Sequence, residues 1–335
     1  MRRAMTTTGI SRRALLASGL AATAACSSQP VPAGGVRFDA VDVHPPGYPT
    51  VEAVQWIGEE LARATNGRLS IRQFPSGQLG AEDDTLGFAR YHAIHFCRVA
   101  VAALNNPFPE TSVLALPYGF RSTGHMRRVV DGPIGTELLN VFERRGLVGL
   151  AYYDAAPRSF YNIRGPIETP ADLAGLKIRS PLSDMVLETL AAMGANPTPL
   201  SFGGVFSALE THLIDGAENN LPSFESSRHF ETARYWSETE HSHSPDALLM
   251  SKAAFDALVP ADRELLKDIA RRSVQVMRKS WDARVADARR IVLEAGVEIN
   301  RPDPAPFIAA VQPVIRRTTA DPVLGRLYSR IQAEG

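Results

Sequence analysis

Hydrophobic and polar positions along the chain follow two alternating periods, one typical of strands and the other of helices. Val36–Val41 and Leu69–Phe74 alternate as strands, and residues 51–61 between them keep their apolar positions on one helical face. We expect Thr50 to cap that helix. Further strands are predicted at residues 100–102, 148–153 and 176–179. This strand–helix alternation predicts an α/β fold with largely parallel sheets.

The longest segment without a helix breaker predicts a connection between two lobes. Residues 261–295 form a run of 35 residues without Gly or Pro. One continuous helix of that length would span about 52 Å at 1.5 Å per residue, more than the width of an α/β domain of about 120 residues. We therefore expect it to run along two lobes and couple them. Two shorter helices separated by a break are the alternative.

Composition and charge change this picture only at the N-terminus. The 335 residues contain 36 Lys+Arg and 36 Asp+Glu, so the formal net charge is zero. Residues 1–26 hold four arginines, no acidic residue and an apolar run from Ala14 to Ala25, which is typical of an export signal. Without those arginines, 32 basic residues face 36 acidic ones, and the mature chain has a net charge of −4.

The leader resembles two kinds of signal. Residues 11–16 (SRRALL) resemble a twin-arginine (Tat) export signal, with Leu15 where Phe is usual. Ala24-Ala25-Cys26 resembles a lipoprotein cleavage site, with Thr23 where Leu is favoured. Two outcomes stay open: lipidation of Cys26, or cleavage near Ala25 with no lipid. Residues 27–35 (SSQPVPAGG) have the composition of a flexible linker.

Motifs of common catalytic and cofactor sites are missing from the sequence. It has no G-x-S-x-G elbow, no G-x-x-x-x-G-K-[ST] loop, no G-x-G-x-x-G after a strand and no C-x-x-C. Cys97 is the only cysteine beyond Cys26, and we expect it to be a buried apolar residue. His241 and His243, near Asp246, would share a strand face without the i, i+4 spacing of a helical metal pair. We therefore expect no metal and no cofactor, and the neutral charge gives no electrostatic case for nucleic acid.

Arginines near strand ends predict anion binding. Arg158, Arg164 and Arg179 cluster where predicted strands and loops meet. An Arg at a strand end facing a cleft can hold a carboxylate through two parallel N–H···O bonds. Pairing with a surface Asp or Glu is the commoner alternative for any single Arg. Spacing alone does not decide between the two.

Three motifs in order resemble one protein family. Residues 172–179 (DLAGLKIR) resemble the D-L-x-G-L-K-I-R signature of the solute-binding subunits of TRAP transporters, which are tripartite periplasmic uptake systems. Residues 193–199 (MGANPTP) resemble their G-A-N-P-T-P strand, and residues 215–220 (DGAENN) resemble their D-G-x-E-N motif. The similarity extends from about Val36 to the C-terminus.

The resemblance implies roles for individual residues. Arg179 is expected to form a salt bridge to the ligand carboxylate, Asn219 to reach the ligand, and Arg158 to give a second cationic contact. Phe202 matches an aromatic residue that packs on the ligand, and His241 a polar position on the strand that returns between the lobes.

The resemblance also implies a two-lobed periplasmic-binding-protein-like fold with a hinge and a long helix spanning both lobes. Lobe I is expected at residues 36–156 and 245–284, and lobe II at residues 157–244 and 285–335. Such a protein works in the periplasm, closes on a small-molecule carboxylate and docks on TRAP membrane subunits, and it is not an enzyme.

Three further segments resemble a subgroup that binds hexuronates such as D-glucuronate and D-galacturonate: residues 42–50, 96–99 and 218–220. The resemblance makes His44 and Arg98 candidate partners of sugar hydroxyls, and Glu82 a candidate that could instead only cap a helix. Gly203-Gly204 and His243 depart from the family pattern. Other ligands remain as alternatives, namely an aldonate or a four-carbon dicarboxylate, as does an exported uronate hydrolase or lyase using His241 as a base.

The leader gives a direct prediction about processing. If the lipoprotein site is used, mass spectrometry of the exported protein will show an N-terminal Cys26 carrying lipid. An unmodified N-terminus at any other residue would reject lipidation and favour cleavage near Ala25.

Overall fold

The computed structural model describes residues 35–334. The predicted export signal (1–26), Cys26 with its predicted lipid, and residues 27–34 of the predicted linker lie outside the described residues. No helix within 35–334 combines the length and the apolar character needed to cross a bilayer.

Eleven strands in the described part of the chain form two sheets. The strands are β1 (Val36–Val41), β2 (Leu69–Phe74), β3 (Phe96–Ala100), β4 (Leu147–Tyr153), β5 (Arg158–Asn162), β6 (Lys177–Ser180), β7 (Asn196–Pro199), β8 (Gly216–Asn220), β9 (Tyr235–Ser242), β10 (Asp246–Ser251) and β11 (Glu298–Asn300). The first sheet has the order β2-β1-β3-β10-β4, and the second has the order β11-β9-β5-β8-β6-β7. The strands predicted at 36–41 and 69–74 are confirmed.

Twelve α-helices surround the sheets within the same residues. They are α1 (Pro49–Ala64), α2 (Glu82–Arg90), α3 (Val101–Leu104), α4 (Thr123–Asp131), α5 (Pro133–Asn140), α6 (Asp184–Ala192), α7 (Val205–Glu210), α8 (Leu221–Ser226), α9 (Lys252–Asp256), α10 (Pro260–Glu294), α11 (Pro304–Thr319) and α12 (Pro322–Ala333). Short 3₁₀ turns lie between several of them, including Phe202–Gly204.

The prediction of largely parallel sheets is confirmed, with one antiparallel strand in each sheet. Strand β10 is antiparallel to β3 and β4, and β5 is antiparallel to β8 and β9. Each of these strands follows a crossing between the sheets: residues 154–157 lead from β4 to β5, and residues 243–245 lead from β9 to β10. A crossing chain enters its new sheet at the edge where the parallel strands end, so it must run in the opposite direction.

Two local predictions need correction. The strand predicted at 100–102 lies earlier, because β3 ends at Ala100 and the chain then turns into α3. Helix α1 starts at Pro49 with Tyr48 as its N-cap residue. Thr50 does not cap it, since its hydroxyl donates a hydrogen bond of 2.9 Å to the Asp42 carboxylate.

The long helix is confirmed as one element of 35 residues, α10. Its first half buries Leu266, Ile269 and Met277 in the hydrophobic core that the first sheet shares with α1. Its last part buries Ala288 and Val292 in the core of the second sheet. The helix therefore packs in both cores and connects the two sheets mechanically.

The C-terminal helix α12 returns to the side of the first sheet. His125 Nε2 lies 2.9 Å from the Ile331 carbonyl oxygen, and Gln332 Nε2 donates a hydrogen bond of 2.6 Å to the Gly119 carbonyl. The sequence placed residues 285–335 in lobe II. The lobe boundaries stay a prediction, with this helix in contact with residues assigned to lobe I.

Asp154 gives a stability prediction for the crossing from β4 to β5. This fully buried carboxylate accepts hydrogen bonds from Arg127 of α4 and, at 2.9 Å, from Arg278 of α10. Asp154→Asn would leave both guanidinium groups without their shared anion. Because breaking a buried ion pair costs about 3–5 kcal/mol, we expect a free energy of unfolding lower by about 3 kcal/mol in urea denaturation.

The matched control is Asp268→Asn. Asp268 is exposed on the same helix α10 and pairs only with neighbouring arginines, so the loss should stay below about 1 kcal/mol. Equal losses in the two variants would contradict a special role of Asp154.

Candidate ligand-binding site

A cleft lies where the two sheets face each other. The C-terminal ends of β1, β3, β6 and β8 meet there with the N-terminal ends of β5 and β10, the usual place for a ligand in open α/β sheets. The cleft is partly open to solvent. Its wall consists of Val43, His44, Glu82, Arg98, Ala100, Ala102, Arg158, Arg179, Pro181, Phe202, Asn219, Asn220, Ser223 and Asp246.

Arg179 lines the cleft from the second sheet, near the end of β6. Its side chain is 5% exposed, and its Nε donates a hydrogen bond of 2.7 Å to the Leu200 carbonyl. No Asp or Glu of residues 35–334 forms an ion pair with it, and burial lowers the pKa of Arg179. Because a buried, unpaired charge is costly, this guanidinium calls for an anion from outside the chain.

The signature around Arg179 mainly builds the strand that carries it. The Asp172 carboxylate accepts a hydrogen bond of 2.8 Å from the Thr169 amide, and Gly175 has a φ of +80°, which an L-residue adopts at a cost. Ile178 is fully buried, so the next residue of the strand, Arg179, faces the opposite side.

Arg158 is the second guanidinium of the cleft, and Glu218 neutralises it. Arg158 Nη2 lies 2.7 Å from Glu218 Oε1, and its Nε bonds the other carboxylate oxygen. Burial alone would raise the pKa of Glu218, but the Arg158 charge holds it well below its usual range. Arg158 is therefore not available as a full positive charge for a ligand.

Asn219 is oriented by the same arginine. Its Oδ1 accepts hydrogen bonds from Arg158 Nη1 at 3.0 Å and from the Asn220 amide at 2.8 Å. With its oxygen committed to the protein, Asn219 offers its NH₂ group to the cleft as a hydrogen-bond donor.

Gly216 explains the conformation of the D-G-x-E-N motif, which carries Glu218 and Asn219. At Gly216 an added Cβ would lie 2.4 Å from the Tyr161 carbonyl oxygen and 2.7 Å from the Asn162 Cβ. Only glycine lets β8 approach β5 so closely, and this approach brings Glu218 beside Arg158.

Arg98 lines the cleft from β3 of the first sheet and is surrounded by carboxylates. Its Nη2 is 2.6 Å from Asp42 Oδ1, and its Nη1 is 2.6 Å from Glu82 Oε1 and 3.5 Å from Asp246 Oδ2. Glu82 is the first residue of α2 and does not cap it; it pairs with Arg98 and also accepts a hydrogen bond from the Ala100 amide. One positive charge thus faces three acidic groups.

Asp246 was not predicted as a ligand contact, yet it lines the cleft. It begins β10 directly after the second crossing, and its side chain is 6% exposed. Burial raises the pKa of Asp246 to about 7, although Arg98 acts to lower it. Asn220 and Ser223 were also missed. Their positions in the sequence could have indicated them, since Asp246 follows a crossing, and Asn220 and Ser223 lie at or shortly after the end of the D-G-x-E-N motif.

His44 and Phe202 form the aromatic part of the wall. The His44 ring stacks on Tyr48 with 3.7 Å between ring centroids, and the Phe202 ring meets its face edge-on at 5.5 Å. Burial, and then the charge of Arg98, lowers the pKa of His44 to about 3, so its imidazole is neutral at pH 7. His44 Nδ1 is buried and has no hydrogen-bond partner in the described chain.

Two predicted positions lie outside the cleft. His241 is behind Glu218: its Nε2 is 3.5 Å from Glu218 Oε2, and its ring stacks on Phe160. An irregularity in the pairing of β5 with β9 explains this placement. Arg164 follows the far end of β5 and pairs with Asp215, so it does not cluster with the other two arginines.

Contacts between the two sides close the cleft. The Tyr48 hydroxyl lies 3.0 Å from the Ser223 hydroxyl of α8. Asn106 accepts a hydrogen bond of 3.1 Å from the Asp184 amide and donates one of 3.3 Å to its carboxylate. Both sheets also contribute to one hydrophobic core, which contains Cys97 and Leu249 of the first sheet and Phe160 and Ile178 of the second.

The described residues offer little for other chemistry. No group of three or more His, Cys, Asp and Glu side chains among them is arranged to hold a metal ion. Cys97 is fully buried, and burial raises its pKa to about 12, so it is an apolar core residue.

Comparisons with known proteins agree with this geometry. The structure of a TRAP periplasmic solute-binding protein from Bradyrhizobium sp. BTAi1 with bound α/β-D-galacturonate is 47% identical, with a TM-score of 0.88, covering 89% of this chain and 100% of that one. The corresponding protein from Pseudomonas putida F1 with bound D-glucuronate is 35% identical, with a TM-score of 0.87, covering 89% and 97%.

Comparisons of sequence give the same family. A solute-binding protein of Chromohalobacter salexigens is 35% identical over 293 residues, which is 87% of each chain. The model of bacterial extracellular solute-binding protein family 7 (DctP) matches residues 40–321. The predicted two-lobed fold is confirmed, and the chain belongs to this family of periplasmic TRAP-transporter subunits.

Proposed function

We propose that the protein captures a hexuronate such as D-glucuronate or D-galacturonate in the periplasm and delivers it to TRAP membrane subunits. The observation that carries the proposal is Arg179, a buried guanidinium in the cleft that no carboxylate of the described chain neutralises. A ligand carboxylate would supply that anion through two parallel hydrogen bonds.

The rest of the cleft suits a hydroxylated carbon skeleton. Asn219 offers a donor beside Arg158, while Glu82 and Asp246 offer acceptors from the side of the first sheet. The Phe202 ring, 6.0 Å from the Arg179 guanidinium carbon, provides an apolar face for the C–H groups of a sugar. Relatives with 35–47% identity bind D-galacturonate or D-glucuronate, which supports the same ligand class here.

Export and delivery complete the proposal. The Tat-like signal would bring the folded protein to the periplasm, with Cys26 as its lipid anchor if the lipoprotein site is used. The protein would act by binding and release without chemical change of its ligand. The enzyme alternative depended on His241 as a base, and this side chain lies behind Glu218 outside the cleft.

A panel of ligands tests the proposal by thermal stability. We expect D-glucuronate or D-galacturonate to raise the melting temperature, since a ligand at a hundred times its Kd stabilises the fold by about 2.7 kcal/mol. D-Glucose and D-galactose, which lack the carboxylate, serve as controls and should give no shift. Absence of a shift with every sugar acid would refute hexuronate binding.

Arg179→Lys tests the residue that carries the proposal. A lysine keeps the charge but cannot form the two parallel hydrogen bonds, so we expect hexuronate binding at least about 100-fold weaker by calorimetry, as for loss of a charged hydrogen bond in a buried site. The control is Arg164→Lys, the same exchange at the far edge of the same sheet, where the side chain is 64% exposed. Wild-type affinity of Arg179→Lys would show that another group binds the carboxylate.

A further inference from the structure

The two sheets contribute different charges to the cleft. From the second sheet, Arg179 forms no ion pair with an acidic residue among residues 35–334, whereas on the side of the first sheet a single guanidinium, that of Arg98, faces Asp42, Glu82 and Asp246. The pair of Arg158 and Glu218, also on the second sheet, is internally neutral. A ligand that reaches from Arg179 to Asp246 therefore meets a positive group on the second sheet and surplus negative charge on the first.

Of the three carboxylates around Arg98, that of Asp246 has the weakest contacts with the rest of the protein. Its Oδ2 lies 3.5 Å from Arg98 Nη1, compared with 2.6 Å for the contacts of Asp42 and Glu82. No side chain or amide of the described chain donates a hydrogen bond to the Asp246 carboxylate, although it is 6% exposed and lines the cleft. Its acceptor oxygens are thus available to a ligand.

A second buried group on the side of the first sheet is also unsatisfied. His44 is 6% exposed, lines the cleft, and its Nδ1 has no hydrogen-bond partner within 35–334. Since burial lowers its pKa to about 3, the imidazole is neutral and adds no positive charge. This side of the cleft therefore has hydrogen-bonding capacity for hydroxyl groups but no free cation for a second anion.

We propose that Asp246 makes this cleft selective for acids with one carboxylate, by accepting a ligand hydroxyl and repelling a carboxylate at the same position. The inference rests on the proposed function, since it assumes that Arg179 holds the first carboxylate. A second ligand carboxylate beside Asp246 would face surplus negative charge in a buried site, where like-charge contacts cost several kcal/mol. Sugar monoacids would bind, and the diacids with the same carbon chain would not.

The repulsion should depend on pH. The charged groups that face Asp246 are Arg98 from β3, Glu82 from α2, Asp42 after β1 and Arg158 from β5. Burial raises the pKa of Asp246 to about 7. The side chain is therefore neutral below that pH and could then donate a hydrogen bond to a carboxylate. Diacid binding should strengthen as the pH falls from 8 to 6, a range in which the ligand's own carboxylates, with pKa values of about 3.5, stay ionised.

The decisive comparison uses two open-chain ligands that differ at one end. D-Galactonate carries a primary alcohol where galactarate carries a second carboxylate, so their affinity ratio isolates the added charge. By calorimetry on the mature protein at pH 8, we expect galactarate to bind at least about 100-fold more weakly. Asp246→Asn, which keeps the side-chain shape, should improve galactarate binding at least about tenfold. The control Asp268→Asn removes the same charge from the exposed face of α10 and should change neither ligand.

The outcomes separate this inference from the proposed function. If neither D-glucuronate nor D-galacturonate binds the wild-type protein, the proposed function fails. If a hexuronate binds but Asp246→Asn brings no gain in galactarate affinity, the selectivity role of Asp246 is refuted. If that variant does not fold, the pH dependence of the wild-type protein tests the inference. We expect its galactarate affinity to rise by up to about tenfold from pH 8 to pH 6, and an affinity that does not change with pH would overturn the inference.

Discussion

The buried guanidinium of Arg179 is the constraint from which the organisation of the cleft follows. Removing one ion from water costs several kcal/mol unless a partner compensates it. The other two cleft arginines have such partners within the protein, Glu218 for Arg158 and the acidic group for Arg98. Arg179 alone keeps its charge for a ligand, and the position of β6 therefore fixes where a ligand carboxylate would bind.

This arrangement divides recognition between the two sides of the cleft. The second sheet contributes Arg179, Arg158 and Asn219, whereas Arg98 and Asp246 come from the first. A sugar acid long enough to reach both would connect the two sheets directly. The protein's own contacts between the two sides include the hydrogen bond of Tyr48 with Ser223 and a shared hydrophobic core. Ligand bonds would add to the free energy that favours closure, as in other hinge-type binding proteins.

The cores show why such closure can be coordinated. Helix α10 is buried in both sheet cores, and Asp154 at the first crossing is bonded to Arg278 of that helix. Two crossings, residues 154–157 and 243–245, also connect the sheets, and the antiparallel strands β5 and β10 start directly after them. Movement of one sheet relative to the other would therefore involve these crossings and α10 together.

Sequence reasoning predicted the local elements well and the side-chain partners poorly. The strands 36–41 and 69–74 and the long helix follow from hydrophobic period and from the absence of Gly and Pro, which are local properties. The resemblance brought Arg158, Arg179 and Asn219 to one place, where the structure also has them. The pairing of Arg98 with three acids depends on Glu82, 16 positions away, and on Asp42 and Asp246, 56 positions away or more, and no local pattern encodes such contacts.

Two predicted positions differ in the structure for related reasons. The resemblance implied a ligand contact for His241, whereas its side chain lies against Glu218 and Phe160, next to an irregular pairing of β5 with β9. Arg164 was grouped with Arg158 by nearness in sequence, although opposite ends of one short strand lie at opposite edges of the sheet.

The glutamate of the D-G-x-E-N motif shows how structure changes the meaning of a motif. Read as sequence, Arg158 is a second cation for the ligand. In the structure Glu218 neutralises it, and Arg158 instead holds the oxygen of Asn219 so that the NH₂ group faces the cleft. The motif thereby removes a positive charge from the cleft and adds an oriented neutral donor. With two free cations the cleft would favour diacids. With Arg179 as its single cation without an acidic partner among residues 35–334, it is matched to a ligand with one carboxylate and several hydroxyls.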